Sequence, residues 1–183
     1  MAGRVEKRLK ELGIELPTAS SSLGNYVPYV KTGNLVWSVQ APLVNGKAVY
    51  TGRVGAEVTI ENAQKCARLV AINILGQLRH ACDGDLDRVR RCIRVGGFIN
   101  VAPGFTGHSQ VMNGASDLIV AVLGEAGKHT RFALGLASLP IDMTVNIEAI
   151  FEIAPPGRRA AAQAPSRSAP RAPSDARGRA KRR

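Results

Sequence analysis

Residues 143–153 read MTVNIEAIFEI, and their chemistry alternates: Met143, Val145, Ile147, Ala149, Phe151 and Ile153 interleave with Thr144, Asn146, Glu148, Ile150 and Glu152. A period of two over so long a run predicts a β-strand with one apolar and one mostly polar face. The apolar face needs a cover, and the sequence upstream supplies it. Thr59 is placed to cap a helix in which Ala63, Ala67, Val70, Ile74 and Leu78 recur three or four residues apart. Val111, Ala115, Leu118 and Val122 mark a second amphipathic helix, ending near Gly124 to Gly127. Between them the Asp83-Gly84 turn stops the first helix, a short turn passes through Leu86, and Val89–Val101, rich in Val and Ile, reads as a central strand.

Further out, residues 26–40 (YVPYVKTGNLVWSVQ) hold two strand-like runs around Thr32-Gly33-Asn34, the pattern of a hairpin. Ala48 to Val54 is a candidate third strand, and another strand precedes the last one. The order β-β-(β)-α-β-α-β-β predicts an α+β fold: a single mixed sheet with two long helices on one face. The other face then either meets water or forms a partly polar interface with other subunits. At the N-terminus Val5, Leu9 and Leu12 mark a short amphipathic helix closed by Gly13, so residues 1–13 read as a helical extension, accessory to the core.

The basic charge is concentrated at one end. Residues 155–183 hold nine Lys/Arg against one Asp and are otherwise almost only Ala, Pro, Ser and Gly, a composition expected to stay disordered. Residues 1–154, with 16 basic and 13 acidic side chains, are nearly neutral. No apolar run approaches the roughly 18 residues a bilayer span needs, and MAGRVEKRLKELG has charges where a signal peptide is apolar. The expectation is a soluble cytoplasmic protein with no membrane partner. Cys66, Cys82 and Cys92 are an odd set without Cys-x-x-Cys spacing, expected as free thiols rather than a disulfide framework or zinc site.

Several fragments resemble catalytic motifs and fail on spacing. Gly127-Lys128 lacks a phosphate loop's first Gly and its following hydroxyl, with Val122 and His129 in those places. Asp83, Asp85 and Asp87 have no Glu closing a calcium loop, and His80, His108 and His129 lack metal-ligand spacing. Ser109 lacks the second Gly of a nucleophile elbow. No metal site and no cofactor are expected.

The segment from Thr130 through Arg131, Leu139-Pro140 and Asp142 to Asn146, Glu148 and Ile150 resembles the C-terminal signature of the RidA family, also called YjgF or endoribonuclease L-PSP. Gly24-Asn25-Tyr26 resembles the family's Gly-Pro-Tyr, Gly33-Asn34-Leu35-Val36 its first-hairpin turn, and Ser38-Val39-Gln40 its Ser-Gly-Gln. Phe98 to Asn113 resembles its strand and helix ending in Val-Asn. The resemblance spans residues 14–153, marking 14–154 as a RidA-like domain. It implies a chorismate mutase-like (AroH-type) fold, a homotrimer, and ligand clefts between adjacent subunits.

In such a cleft the resemblance implies that Arg131 grips a small carboxylate with its forked cation, beside Tyr26, Ser38 and Asn113. It also implies hydrolysis of reactive enamines and imines, such as 2-aminoacrylate, to ketoacids and ammonia. Arg131, Asn146 and Glu148 occupy the catalytic positions. Here the chain departs from the family's deaminases, which have Glu where it has Asn146, and an amide accepts no proton as a carboxylate does. Ala133 replaces a frequent Cys and Val39 a Gly, while Glu148 matches the family's second, structural Glu. Binding is therefore implied more directly than turnover, and whether the chain is an enzyme stays open on the sequence. Two alternatives stand beside the deaminase: a non-catalytic ligand-binding trimer, and an RNA-associated protein whose basic tail holds nucleic acid or another acidic partner without sequence preference.

Overall fold

A computed structural model describes residues 3–18 and 25–155. The expected disordered tail, from Pro156 onward, and Gly24 of the Gly-Asn-Tyr motif lie outside them. Helix α1 (Arg4–Glu11) leads to strands β1 (Tyr29–Thr32) and β2 (Leu35–Gln40), then to the two-residue strands β3 (Leu43–Val44) and β4 (Lys47–Ala48). Helix α2 (Ile60–Ala81), strand β5 (Val89–Asn100), helix α3 (His108–Leu123) and strands β6 (Thr130–Leu136) and β7 (Val145–Ile153) complete the chain order. The main sheet has the order β1-β2-β7-β5-β6, antiparallel except for β5 and β6, which run parallel because α3 carries the chain back between them.

The alternating strand is thus the middle of the sheet. Val145, Ile147, Ala149 and Phe151 are fully buried, and α2 and α3 cover that face. Thr59 caps α2, its hydroxyl accepting from the Asn62 amide at 3.3 Å, and the stripe from Ala63 to Leu78 is buried as its spacing predicts. Each large side chain so buried contributes roughly 1.5–3 kcal/mol.

Two expectations are corrected. Residues 48–54 form no third strand of the sheet: Asn45 and Gly46, both at positive φ, close the small β3–β4 hairpin. Gly52 and Gly55, also at positive φ, bend the chain between β4 and α2, leaving isolated bridges at Thr51 and Val54. Helix α1 is not an accessory either. Val5 and Leu9 belong to the core cluster, and the Asp87 carboxylate accepts from the Arg4 and Val5 amides at 2.7 and 2.9 Å, supplying the N-cap that Gly3 has no side chain to give.

Among the described residues, nothing covers the face of the sheet away from the helices. Val30, Trp37, Val39 and Leu134 are 37–52% exposed there. Gly96 lets the Phe132 ring lie across β5 and meet Phe98 edge to face at 5.6 Å between centroids. Among the described residues, no helix is long and apolar enough to cross a membrane.

The two helices come close at Gly114, where an added Cβ would run into the backbone carbonyl of Gln64. Gly114→Ala should therefore destabilise the fold by about 2 kcal/mol despite the better helix propensity of Ala. Denaturant unfolding checks this; an unchanged midpoint would show that the helices can part without cost.

Candidate functional site

Odd-numbered residues of β6 face the helices, so Arg131 points towards α3, where Asn113 and Ser116 stand one turn apart. The Arg131 Nη1 donates to Asn113 Oδ1 at 2.9 Å and to Ser116 Oγ at 3.1 Å. Ser116 Oγ lies 3.0 Å from His129 Nε2, and His129 Nδ1 lies 2.6 Å from the Gly127 carbonyl oxygen. A carbonyl only accepts, so Nδ1 carries a proton, and in the singly protonated ring Nε2 is the acceptor for the Ser116 hydroxyl. The chain of bonds has one direction: Ser116 donates to His129 and accepts from Arg131. Arg131 itself is exposed, and among the described residues no acceptor meets its Nε or Nη2.

The other expected residues lie elsewhere. Ser38 is buried on the helix face of β2 and donates to the Pro28 carbonyl at 3.1 Å, while Tyr26, 66% exposed, precedes β1. Two strands separate β2 from β6, a distance of about 14 Å, so one chain does not bring Tyr26 and Ser38 to Arg131. Asn146 and Glu148 project from the uncovered face of β7. Asn146 Nδ2 has only the Met143 sulfur at 3.6 Å, and its Oδ1 is buried without a partner. Glu148 pairs with Arg94 at 2.5 Å, and the Arg94 guanidinium lies 5.7 Å from the Phe132 ring centroid. The fold thus unites Arg131 with Asn113 and leaves two further groups of expected residues apart. Two clefts on the helix side, about 400 Å³ beside Tyr29, Arg79 and His80 and about 550 Å³ between α1 and α3, include none of them.

A family model described as "YjgF/chorismate_mutase-like, putative endoribonuclease" matches residues 6–152. Protein TCP17 of Trypanosoma cruzi is 43% identical over 154 residues, covering 83% of this chain and 96% of its own. The crystal structure of Atu1372 from Agrobacterium tumefaciens is 48% identical, covers 81% of this chain and 92% of that one, and superposes with a TM-score of 0.76. A crystal structure from Shewanella oneidensis MR-1 is 34% identical, with coverages of 82% and 100% and a TM-score of 0.78. The chain belongs to the YjgF/chorismate mutase-like (RidA) family.

Within this RidA-family fold, Ser116 and His129 join the hydrogen-bonded group around Arg131, and sequence reasoning missed both. Their signal was faint: His129 stands two residues before Arg131, and Ser116 stands three after Asn113, one helical turn along the same face. The three aspartates that resembled a calcium loop have structural uses. Asp83 pairs with Arg88 at 2.6 Å, Asp85 accepts from the Asp87 amide, and Asp87 caps α1.

The site contains no thiol: Ala133 stands beside Arg131, and Cys66, Cys82 and Cys92 are buried in the core. Burial disfavours the thiolate, pushing Cys66 and Cys92 up to about 12 and Cys82 up to about 11. At pH 8, well below these values, all three stay protonated. A disulfide-exchange reagent should label the folded protein negligibly at that pH and label all three after unfolding; rapid labelling of the native state would contradict the packing.

Proposed function

We propose that the protein works as a homotrimer that binds small carboxylate metabolites at the β6 edge of each subunit and hydrolyses 2-imino acids or their enamine tautomers there. The observation that carries this reading is the state of Arg131: an exposed guanidinium pinned by two neutral acceptors, with Nε and Nη2 unpaired among the described residues. A fork fixed in this way presents two parallel donors to a carboxylate at little entropic cost.

Assembly is supported by the uncovered sheet face. It combines exposed Trp37, Val39 and Leu134 with two buried polar atoms, Asn146 Oδ1 and Arg94 Nε, that lack partners among the described residues. Tyr26 precedes β1, the edge strand opposite Arg131, so contact between the unlike edges of neighbouring copies would bring it to the ligand, while Ser38 stays buried on β2.

Light scattering should give three chains per particle. A short 2-ketoacid at 100 times its Kd should stabilise the wild type by about 2.7 kcal/mol. Arg131→Ala should weaken that ligand about 10–100-fold, the worth of a charged hydrogen-bonded pair, and abolish hydrolysis of 2-aminoacrylate generated by a dehydratase. A melting curve unmoved by a panel of keto and amino acids would count against the reading.

A second reading attaches to residues 155–183, where nine cations face one Asp. Contact with nucleic acid through this segment should weaken steeply with salt and vanish when it is deleted; RNA retention by the shortened chain would refute it.

A further inference from the structure

We infer that Ser116 and His129 form the proton relay that activates water at the Arg131 site, an inference that rests on the imine-hydrolysis reading above. The deaminase chemistry needs a group to take a proton from water and return it to the departing nitrogen. Asn146 is an amide and accepts none, and Glu148 is held by Arg94 on the opposite face of the sheet. The base connected to Arg131 by hydrogen bonds is instead His129, through Ser116.

Each bond length and polarity fits this role. The Gly127 carbonyl, 2.6 Å from Nδ1, fixes the tautomer and leaves Nε2 basic; Nε2 is 3.0 Å from Ser116 Oγ. Ser116 Oγ uses one lone pair on Arg131 Nη1 at 3.1 Å, which leaves a second for a water. Neighbouring cationic charge also steadies the oxygen while its proton is in transit. The imine carbon of a 2-imino acid is one bond from the carboxylate, so gripping the carboxylate holds that carbon at the α3–β6 edge, where Ser116 stands.

The steps balance. Water oxygen bonds to the carbon of the protonated imine while its proton moves to Ser116 Oγ and the Ser116 proton moves to His129 Nε2, giving a neutral carbinolamine and an imidazolium. The same path returns a proton to the amine nitrogen. The C–N bond then breaks, the hydroxyl's O–H electron pair becomes the carbonyl π bond, and the released proton leaves with ammonia as ammonium. Ser116 touches the water, and His129 acts through it.

The test measures hydrolysis of 2-aminoacrylate and, separately, the Kd of pyruvate, in the full chain. His129→Asn keeps a donor for the Gly127 carbonyl and removes the base; kcat should fall about 100-fold with KM and the pyruvate Kd within twofold. Ser116→Ala should lower kcat at least tenfold. Added imidazole should restore turnover to His129→Ala and not to Arg131→Ala. Unchanged kcat in both His129→Asn and Ser116→Ala, or a loss that imidazole does not restore, would overturn the relay. Wild-type protein that binds pyruvate through Arg131 and turns nothing over would overturn the relay while leaving carboxylate binding in place. Absence of binding and turnover together would overturn the functional reading first and the relay with it.

Discussion

Among the described residues, the strand at the centre of the sheet has one face covered by helices and one without a cover, and the rest of the architecture depends on that. On the helix side β7 sets Val145, Ile147, Ala149 and Phe151 in the core under α2, while α3 lies over β5 and β6. On the other side Asn146, Glu148 and Glu152 alternate with the nearly buried Ile150, which lies opposite Trp37 of β2 and Arg94 of β5. That face is too apolar to be indifferent to water and too polar to be a core. Glu148 and Arg94 neutralise each other on it, and the Phe98 and Phe132 rings close over Gly96. Such a surface suits contact with another protein face that offers both apolar area and hydrogen-bond partners.

How much of this was legible in the sequence depends on the range of the interactions involved. Periods of two and of three to four residues are written along the chain, so β7, β5, α2 and α3 were legible, as was the Thr59 cap. Where structure depends on partners far apart in sequence, the pattern was silent. Helix α1 looked accessory because its stripe is short, yet it is docked by Asp87, more than 80 residues away. Residues 48–54 looked extended because Val and Tyr favour strands, while the glycines at 52 and 55 turned the chain out of the sheet.

The same distinction governs the site. Family resemblance singled out Arg131 and Asn113, and the two side chains meet. It also singled out Ser38, whose hydroxyl is occupied by the Pro28 carbonyl. Nothing local marks Ser116 as different from other helical serines, because its importance lies in the side chains across the gap to β6. Nor does His129 stand out in a sequence without metal-ligand spacing; its place beside Arg131 comes from a carbonyl that meets one ring nitrogen and a hydroxyl that meets the other.

Two arginines in neighbouring strands show how chemical context, more than residue type, separates a cation already paired with a carboxylate from one held by neutral acceptors. Arg94 meets a carboxylate, so its charge is already answered and a second anion would have to compete with Glu148. Arg131 meets an amide oxygen and a hydroxyl, and among the described residues no carboxylate pairs with it. Neutral acceptors hold a guanidinium in place as firmly as its geometry requires while leaving its net charge intact for a ligand. An acidic residue at position 113 would hold Arg131 equally well and would cancel the field that attracts a carboxylate. By the same logic a carboxylate base beside Arg131 would repel the carboxylate of the proposed ligand, whereas an uncharged imidazole would not, which makes a serine–histidine pair compatible with the proposed clamp.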